Sequence, residues 1–154
     1  MAEIIQVGQE APDFTLRDEQ NQEVTLSKLR GQPVVLVFYP LDFSPVCESE
    51  MCTIRDDWSE FVAAGARVLA ISRDSVWTHK AWKEQRGLKH TLLADMKGDV
   101  ARAYGAWNEQ LGLAERLAVV IDGGGRARYL VRSELRTPRD FNAVLEAVRA
   151  AAQA

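Results

Sequence analysis

The residues in this chain whose types could carry redox chemistry are its two cysteines, Cys47 and Cys52. A cysteine is a strong nucleophile only as the thiolate, and the N-terminus of a helix stabilises that anion through its free N–H groups and its dipole. Ser44 is typical of a helix cap, and Pro45 is typical of a first helical position. The sequence therefore predicts that Cys47 lies in the first turn of a helix, where its sulfur can be activated.

A strongly apolar segment comes directly before this predicted helix. Residues 34–39 read VVLVFY, an unbroken run of β-branched and aromatic residues. This pattern is typical of a strand that is buried on both faces of a sheet. Pro40 ends the strand, because proline can donate no hydrogen bond to a neighbouring strand. We therefore expect Cys47 near the carboxyl end of a buried strand, which is where open α/β sheets form their ligand sites.

The predicted helix places the two cysteines on different faces. At about 100° per residue, Cys52 lies roughly 140° around the helix from Cys47. The predicted core-facing sector contains Cys47, Met51, Ile54, Trp58, Phe61 and Val62. Cys52 falls instead among the polar residues Glu48, Asp56 and Ser59. Because a free cysteine usually packs as a small buried hydrophobe, these residues alone leave two interpretations open, a redox pair and two structural cysteines.

Composition and charge argue against several classes of function. A chain of 154 residues with 47% hydrophobic and 27% charged residues is typical of one globular domain. A net charge of −3 without a basic cluster argues against binding to nucleic acid or to an anionic membrane. The N-terminal residues lack a signal-peptide pattern, and no apolar run reaches the roughly 20 residues that a membrane span requires. We therefore expect a cytoplasmic protein.

The cysteines and histidines do not form a metal-binding pattern. His79 and His90 share no ligand-like spacing with the two cysteines, so neither a metal nor another cofactor is expected. Both histidines are predicted to be exposed or hydrogen-bonded. Two cysteines are also too few for a disulfide framework, and in a reducing compartment such a pair is more often catalytic or redox-sensing.

Apolar patterns along the chain alternate between strand-like and helix-like periods. Their order is hairpin, strand, helix, strand, helix, strand, helix, hairpin and helix, which indicates an α/β sandwich with a mixed sheet flanked by helices. We expect one helix from Pro45 to a closing Gly65, followed later by an irregular loop at residues 105–115. The last helix is expected to have Thr137 as its cap and Pro138 in its first position.

A motif at residues 40–47 resembles that of a known family. It reads PLDFSPVC and fits the pattern P-x-x-x-[TS]-x-x-C of the peroxiredoxins, which are thiol peroxidases on a thioredoxin-like fold. The resemblance extends from Gly8 to the last helix and includes APDFTL near the start. Residues 104–122 are most similar to the alkyl hydroperoxide reductase E type, whereas the C-x4-C pair is similar to the peroxiredoxin Q, or bacterioferritin comigratory protein, type. The resemblance implies a single thioredoxin-like peroxiredoxin domain over residues 1–154.

The resemblance also implies roles for individual residues. Cys47 would be the peroxidatic cysteine, which reduces hydrogen peroxide or an organic hydroperoxide and becomes a sulfenic acid. Ser44 stands where most members have threonine, and its hydroxyl would serve the thiolate and the peroxide. Pro40 would shield the thiolate from water. Arg116 matches the family's arginine, whose planar charged fork can hold thiolate and peroxide together. The alternative interpretation of Arg116 is an arginine in an ordinary surface salt bridge.

Cys52 is implied as the resolving cysteine, which would form an intramolecular disulfide with Cys47. Residues five apart on an intact helix have Cα atoms roughly 8–9 Å apart, beyond the ~7 Å limit for a disulfide. Residues 46–54 would therefore have to unwind. We expect them to do so readily, because the intervening residues 48–50 (ESE) are not expected to be strong anchors to the core. A thioredoxin- or mycoredoxin-like reductant would then restore both thiols.

Further features of the resemblance leave alternatives open. Glu50 matches an acid that is common in the family, but an acid in a first helical turn is also favoured by the helix dipole. The family implies either a monomer or a homodimer.

Two other functions remain as alternatives, a thioredoxin-like disulfide reductase and a non-enzymatic redox-sensing module on the same fold. The reductases use C-x-x-C, whereas this chain has C-x4-C.

Overall fold

The computed structural model describes residues 3–153 and has an α/β architecture. Its strands are β1 (Thr15–Asp18), β2 (Glu23–Thr25), β3 (Val34–Phe38), β4 (Arg67–Ser72), β5 (Thr91–Ala94), β6 (Trp107–Asn108), β7 (Leu113–Ala114), β8 (Arg116–Ile121) and β9 (Ala127–Ser133). Its α-helices are α1 (Pro45–Asp56), α2 (Trp58–Ala63), α3 (Val76–Arg86), α4 (Asp99–Ala103) and α5 (Phe141–Ala152). None of the helices within the described residues is long and apolar enough to cross a membrane.

Seven of these strands form one mixed sheet in the order β2-β1-β5-β4-β3-β8-β9. The three strands β3, β4 and β5 run parallel, as expected for strands that are connected through helices. The flanking strands pair antiparallel, β1 with β5 on one side and β8 with β3 on the other. The predicted α/β sandwich with a mixed sheet flanked by helices is therefore confirmed.

Strand β3 lies inside the sheet and divides the core between its two faces. All five of its residues are buried, and successive side chains point to opposite faces. Val35 and Val37 pack in the cluster that contains buried residues of α1, α2, α3 and α5. Leu36 and Phe38 pack in a second cluster, with α4 and the segment before β1. The unbroken apolar run in the sequence is explained by this burial on both faces.

The pairing of β3 with β8 determines what lies beside the end of β3. The two strands are antiparallel, and Phe38 at the end of β3 pairs with Leu117 near the start of β8. Arg116, the first residue of β8, pairs in turn with Ser133, the last residue of β9. The end of β3, the start of β8 and the end of β9 therefore meet at one edge of the sheet. We call this the Cys47 edge, because α1 begins beside it.

The predicted single helix from Pro45 to Gly65 is two helices. Asp57 leaves the helical conformation, with φ −97° and ψ 15°, and separates α1 from α2. Because α2 has its own axis, Val62 is 56% exposed instead of facing the core as predicted. The prediction that Gly65 ends the helical segment is confirmed, since it follows α2 with a φ of +73°, which glycine adopts without strain.

Two other local predictions were wrong. The region at residues 105–115 is not entirely irregular, since β6 and β7 form a short antiparallel pair within it. The cap of the last helix is Asp140 and not Thr137, so that Pro138 lies before the helix. The Asp140 carboxylate accepts hydrogen bonds from the N–H groups of Asn142 and Ala143, which makes it the better cap.

Candidate active site

Cys47 is the third residue of α1 and is completely buried. The helix begins as the sequence predicts, with Ser44 in an extended conformation before Pro45. The first N–H groups of a helix have no partners within it, and Cys47 lies among them. It belongs to the buried cluster that also contains Tyr39 and Met51.

Arg116 makes the polar contact to this sulfur. Its Nη2 lies 3.1 Å from Cys47 Sγ, its Nη1 donates to Glu50 Oε1 at 2.5 Å, and its Nε donates to the Leu135 carbonyl at 2.7 Å. The residue is 2% exposed. Arg116 is therefore not part of a surface salt bridge. Two acceptors, Glu50 and the Leu135 carbonyl, orient its guanidinium group, and Nη2 faces the thiol.

Glu50 is held by a second arginine that the sequence did not reveal. Arg139 donates to Glu50 Oε1 from Nη2 and to Oε2 from both Nε and its backbone N–H, each at 2.8 Å. Arg139 Nη1 also donates to the Phe38 carbonyl at the end of β3, at 2.7 Å. The expectation that residues 48–50 lack a strong anchor was wrong, because Glu50 is 1% exposed and accepts four hydrogen bonds.

The charges around the thiol are unbalanced when it is protonated. Arg116 and Arg139 carry two positive charges, and Glu50 carries one negative charge, so this buried group has one excess positive charge beside Cys47. A Cys47 thiolate brings the total to zero. An uncompensated buried charge is costly, so this cluster is suited to a negatively charged group beside Arg116.

Ser44 and Pro40 precede Cys47 by three and seven residues. The Ser44 hydroxyl donates to the Leu41 carbonyl at 2.8 Å and makes no capping bond to α1. Its backbone carbonyl instead accepts from the Glu48 N–H at 2.8 Å. The hydroxyl would have to rotate to donate to a peroxide. Pro40 is buried, as a residue that excludes water from the site would be.

Cys52 lies in the same unbroken helix as Cys47. Both cysteines are free thiols, and Cys52 is partly exposed whereas Cys47 is buried. As both belong to α1, helix geometry keeps their Cα atoms roughly 8–9 Å apart, so that a disulfide requires movement of the backbone. The structure is therefore that of a reduced, closed site.

A second buried polar network holds the loop before α1. Asp42 accepts from the Tyr39 hydroxyl at 2.5 Å, and its other oxygen lies 2.6 Å from His79 Nδ1. His79 Nε2 lies 3.1 Å from the Leu93 carbonyl, so each ring nitrogen of His79 faces an oxygen. Burial raises the pKa of Asp42, although the hydrogen bond from His79 opposes the shift. Phe43 follows Asp42 in this loop, and its φ of +68° is strained for a residue other than glycine.

His90 has a different environment. It is completely buried, and its Nε2 lies 3.1 Å from Met51 Sδ. Within the described part of the chain, its Nδ1 has no hydrogen-bond partner. Burial, together with the positive charge of Lys83, lowers the pKa of His90 to about 3. Neither histidine is exposed, and His79 alone of the two is hydrogen-bonded through both nitrogens.

Among residues 3–153, no three His, Cys, Asp or Glu side chains are grouped as metal ligands.

This chain is similar to known proteins in both sequence and structure. The chain matches the model of the AhpC/TSA family over residues 7–130. It is 36% identical to the chloroplastic peroxiredoxin Q of Oryza sativa subsp. japonica, in a match that covers 90% of this chain and 64% of the rice protein. The chain thus spans less than two thirds of that relative's length. The chloroplastic peroxiredoxin Q of Sedum lineare is 35% identical, with 90% of this chain and 75% of that protein covered.

A solved structure agrees with the sequence relatives. The crystal structure of peroxidoxin BcpB from Mycobacterium tuberculosis superposes with a TM-score of 0.85 at 31% sequence identity, covering 95% of this chain and 97% of that one. The family model covers most of the chain, and the relatives are peroxiredoxins of the Q type over most of its length. The chain therefore belongs to the AhpC/TSA family and is a peroxiredoxin of the Q, or bacterioferritin comigratory protein, type.

Proposed function

We propose that this peroxiredoxin is a thiol-dependent peroxidase that reduces hydrogen peroxide and organic hydroperoxides at Cys47. The observation that carries the proposal is the 3.1 Å contact between Arg116 Nη2 and the buried Cys47 Sγ in the first turn of α1. A cation and a helix N-terminus directed at one sulfur favour the thiolate. The same donors can stabilise the negative charge that develops on a departing oxygen.

In the first step the thiolate attacks one oxygen of the peroxide. A bond forms between Cys47 Sγ and that oxygen, the O–O bond breaks, and the other oxygen leaves as hydroxide or alkoxide, which takes up a proton to give water or an alcohol. Cys47 is oxidised to the sulfenic acid while the peroxide is reduced. Because Cys47 is completely buried, a peroxide reaches the sulfur only when neighbouring side chains move.

The other site residues support this step in distinct ways. Arg116 touches the sulfur and is positioned to contact the peroxide, and Glu50 keeps the guanidinium in place. Ser44 would assist the peroxide after its hydroxyl rotates away from the Leu41 carbonyl. Pro40 has no N–H to offer to water and fills a buried position before the loop.

In the second step Cys52 resolves the sulfenic acid. Its thiol attacks Cys47 Sγ, the S–O bond breaks, and the oxygen leaves as water while a disulfide forms. Residues 46–54 must unwind for the two sulfurs to meet. This movement breaks the contacts of Glu50 with both arginines, so it costs more than the sequence implied.

A reductant then returns the disulfide to two thiols and is itself oxidised. We assign this role to a thioredoxin- or mycoredoxin-like protein, since thiol–disulfide exchange supplies the two electrons that the cycle consumes. Such recycling fits a reducing compartment such as the cytoplasm. A homodimer is compatible with the exposed Leu41 and Phe43 beside the site, which would offer apolar surface to a second copy.

Rapid mixing of the reduced chain with hydrogen peroxide tests the proposal. Cys47 should be oxidised orders of magnitude faster than free cysteine, and Cys47→Ser should abolish turnover while remaining folded. One equivalent of peroxide should leave no free thiol in the wild type, whereas Cys52→Ser should retain a sulfenic acid. A rate like that of free cysteine would favour the redox-sensing module. Reduction of a disulfide substrate without peroxide reactivity would favour the disulfide reductase.

A further inference from the structure

Arg86, the last residue of α3, contacts α1 at two places. Its Nε donates to Glu48 Oε1 at 2.5 Å, one residue after Cys47. Its backbone carbonyl accepts from Arg55 Nη1 at 2.6 Å, in the last turn of α1. The carbonyl is available because Gly87 ends α3 with a φ of +64°, and the last carbonyls of a helix lack partners within it. Arg86 therefore connects both ends of α1 to the end of α3.

Cys52 lies between these two contacts. Glu48, Cys52 and Arg55 are spaced at i, i+4 and i+7, which places them on one face of α1. The contacts of Glu48 and Arg55 direct this face towards the end of α3. Trp82, one turn before Arg86, adds a longer hydrogen bond from its Nε1 to the same Glu48 oxygen, at 3.4 Å. The side of the helix that carries Cys52 is thus held against α3 while the site is closed.

We propose that Arg86 is a positioning residue for the resolving step, which holds the Cys52 face of α1 against α3 and limits the rate at which Cys52 reaches Cys47. The inference rests on the proposed resolving role of Cys52. The contact with Glu48 must be given up when residues 46–54 unwind, because Glu48 lies inside that segment, whereas Arg55 lies just beyond its end. Release of the Arg86 side chain should therefore make opening easier.

These contacts are separate from those that serve the chemistry of Cys47. Arg116 touches Cys47, and Glu50 and Arg139 hold Arg116 in place, whereas Arg86 is bonded to Glu48 on a different face of the helix. The side chains of Arg86 and Glu48 are 39% and 29% exposed. An ion pair with this much solvent is weak, so its removal should change the opening rate about two- to fivefold without unfolding the protein.

The test follows both steps of the reaction by stopped-flow tryptophan fluorescence, with rapid alkylation and intact mass to identify each product. Arg86→Ala should accelerate disulfide formation about two- to fivefold and leave the oxidation of Cys47 at its wild-type rate. Glu48→Gln removes the same ion pair from the other partner, so it should give a similar acceleration, and the double variant should add little more. Under excess peroxide both variants should accumulate less sulfinic acid, because the disulfide forms before a second oxidation.

Arg149→Ala is the matched control. Arg149 is an arginine of similar exposure, 41%, and within the described residues its side chain pairs with Glu60 and Glu146, neither of which belongs to α1. It should leave both rates unchanged. The role of Arg86 is overturned if the disulfide forms at the same rate in Arg86→Ala as in the wild type. It is also overturned if the disulfide forms more slowly in the variant.

A separate measurement distinguishes this failure from failure of the proposed function. In the Cys47→Ser background no disulfide can form within the chain, and opening is read from amide hydrogen exchange of residues 46–54. Arg86→Ala should raise this exchange about two- to fivefold. Unchanged exchange refutes the holding role of Arg86. If the wild type forms no disulfide after oxidation, the resolving role of Cys52 is refuted, and the proposed effect of Arg86 on that step is refuted with it.

Discussion

Glu50 offers the sharpest test of how the site is held together. It accepts four hydrogen bonds, one from Arg116 and three from Arg139, and both of its oxygens are used. The change Glu50→Gln keeps the shape but leaves one acceptor oxygen and turns an N–H group towards other donors. At least two of the four bonds are therefore lost, and the two guanidinium groups lose the negative charge that they share.

The size of the effect follows from these contacts. Hydrogen bonds to charged groups contribute about 1.5–3 kcal/mol each, so the loss of two predicts about 3–6 kcal/mol. Removal of one partner from a buried ion pair costs about 3–5 kcal/mol, which agrees. With a urea dependence of about 2 kcal/mol per molar, a loss of about 3–5 kcal/mol lowers the midpoint of unfolding by roughly 1.5–2.5 M. Because Arg116 also loses its support, oxidation of Cys47 should slow by roughly 10- to 100-fold.

Urea unfolding of the reduced protein measures the stability change, and stopped-flow oxidation measures the rate. Glu60→Gln is the control, since Glu60 also pairs with an arginine, Arg149, but its side chain is 53% exposed. That change should cost less than about 1 kcal/mol. If Glu50→Gln shifts the midpoint no further than Glu60→Gln does, the four bonds of Glu50 do not hold α1, and the reasoning fails.

Three further predictions concern other polar groups. Arg116→Ala should slow Cys47 oxidation about 10²–10³-fold in stopped-flow assays, and Arg116→Lys should recover only part of the rate because lysine lacks the planar fork. Asp42→Asn should lower the free energy of unfolding by about 1–3 kcal/mol in urea, because one of the two carboxylate oxygens that face buried Tyr39 and His79 becomes an N–H group. Burial keeps the pKa of His90 at about 3, below its unfolded value of about 6.5, so the unfolded chain binds the extra proton. Stability should fall as pH drops below about 6.5, by up to about 1.4 kcal/mol per pH unit, and His90→Leu should remove that part of the slope in urea titrations.

The features that could be predicted from the sequence are those specified by nearby residues. The strand before Pro40 and the helix start at Pro45 are local patterns, and together they place Cys47 at the start of a helix. Arg139 has no such local signal. It lies 89 residues from Glu50, and the two meet because β9 ends at the Cys47 edge. That contact depends on strand order and register, which single-residue patterns do not contain.

The burial of His79 in α3 could have been predicted from the sequence. His79 lies between Val76 and Trp82 at helical spacing, so it shares a face with the buried Trp82. This periodicity favours a buried histidine, and a buried histidine requires partners. The partner Asp42 could not be identified from spacing, because it comes from the loop before α1, 37 residues away.

The charges of the site also connect its chemistry to the opening of α1. While Cys47 is a thiolate, it balances the excess positive charge of Arg116, Arg139 and Glu50. The sulfenic acid is neutral, so oxidation leaves that buried charge without compensation and weakens the bond between Arg116 and the sulfur. The loss of one charged hydrogen bond should destabilise the closed helix by about 1.5–3 kcal/mol, so that the product of the first step promotes the movement that the second step requires. In a Cys52→Ser chain that retains its sulfenic acid, hydrogen exchange at residues 46–54 should therefore be faster than in the reduced form. Equal exchange in the two states would mean that the charge of Cys47 does not control the opening of α1.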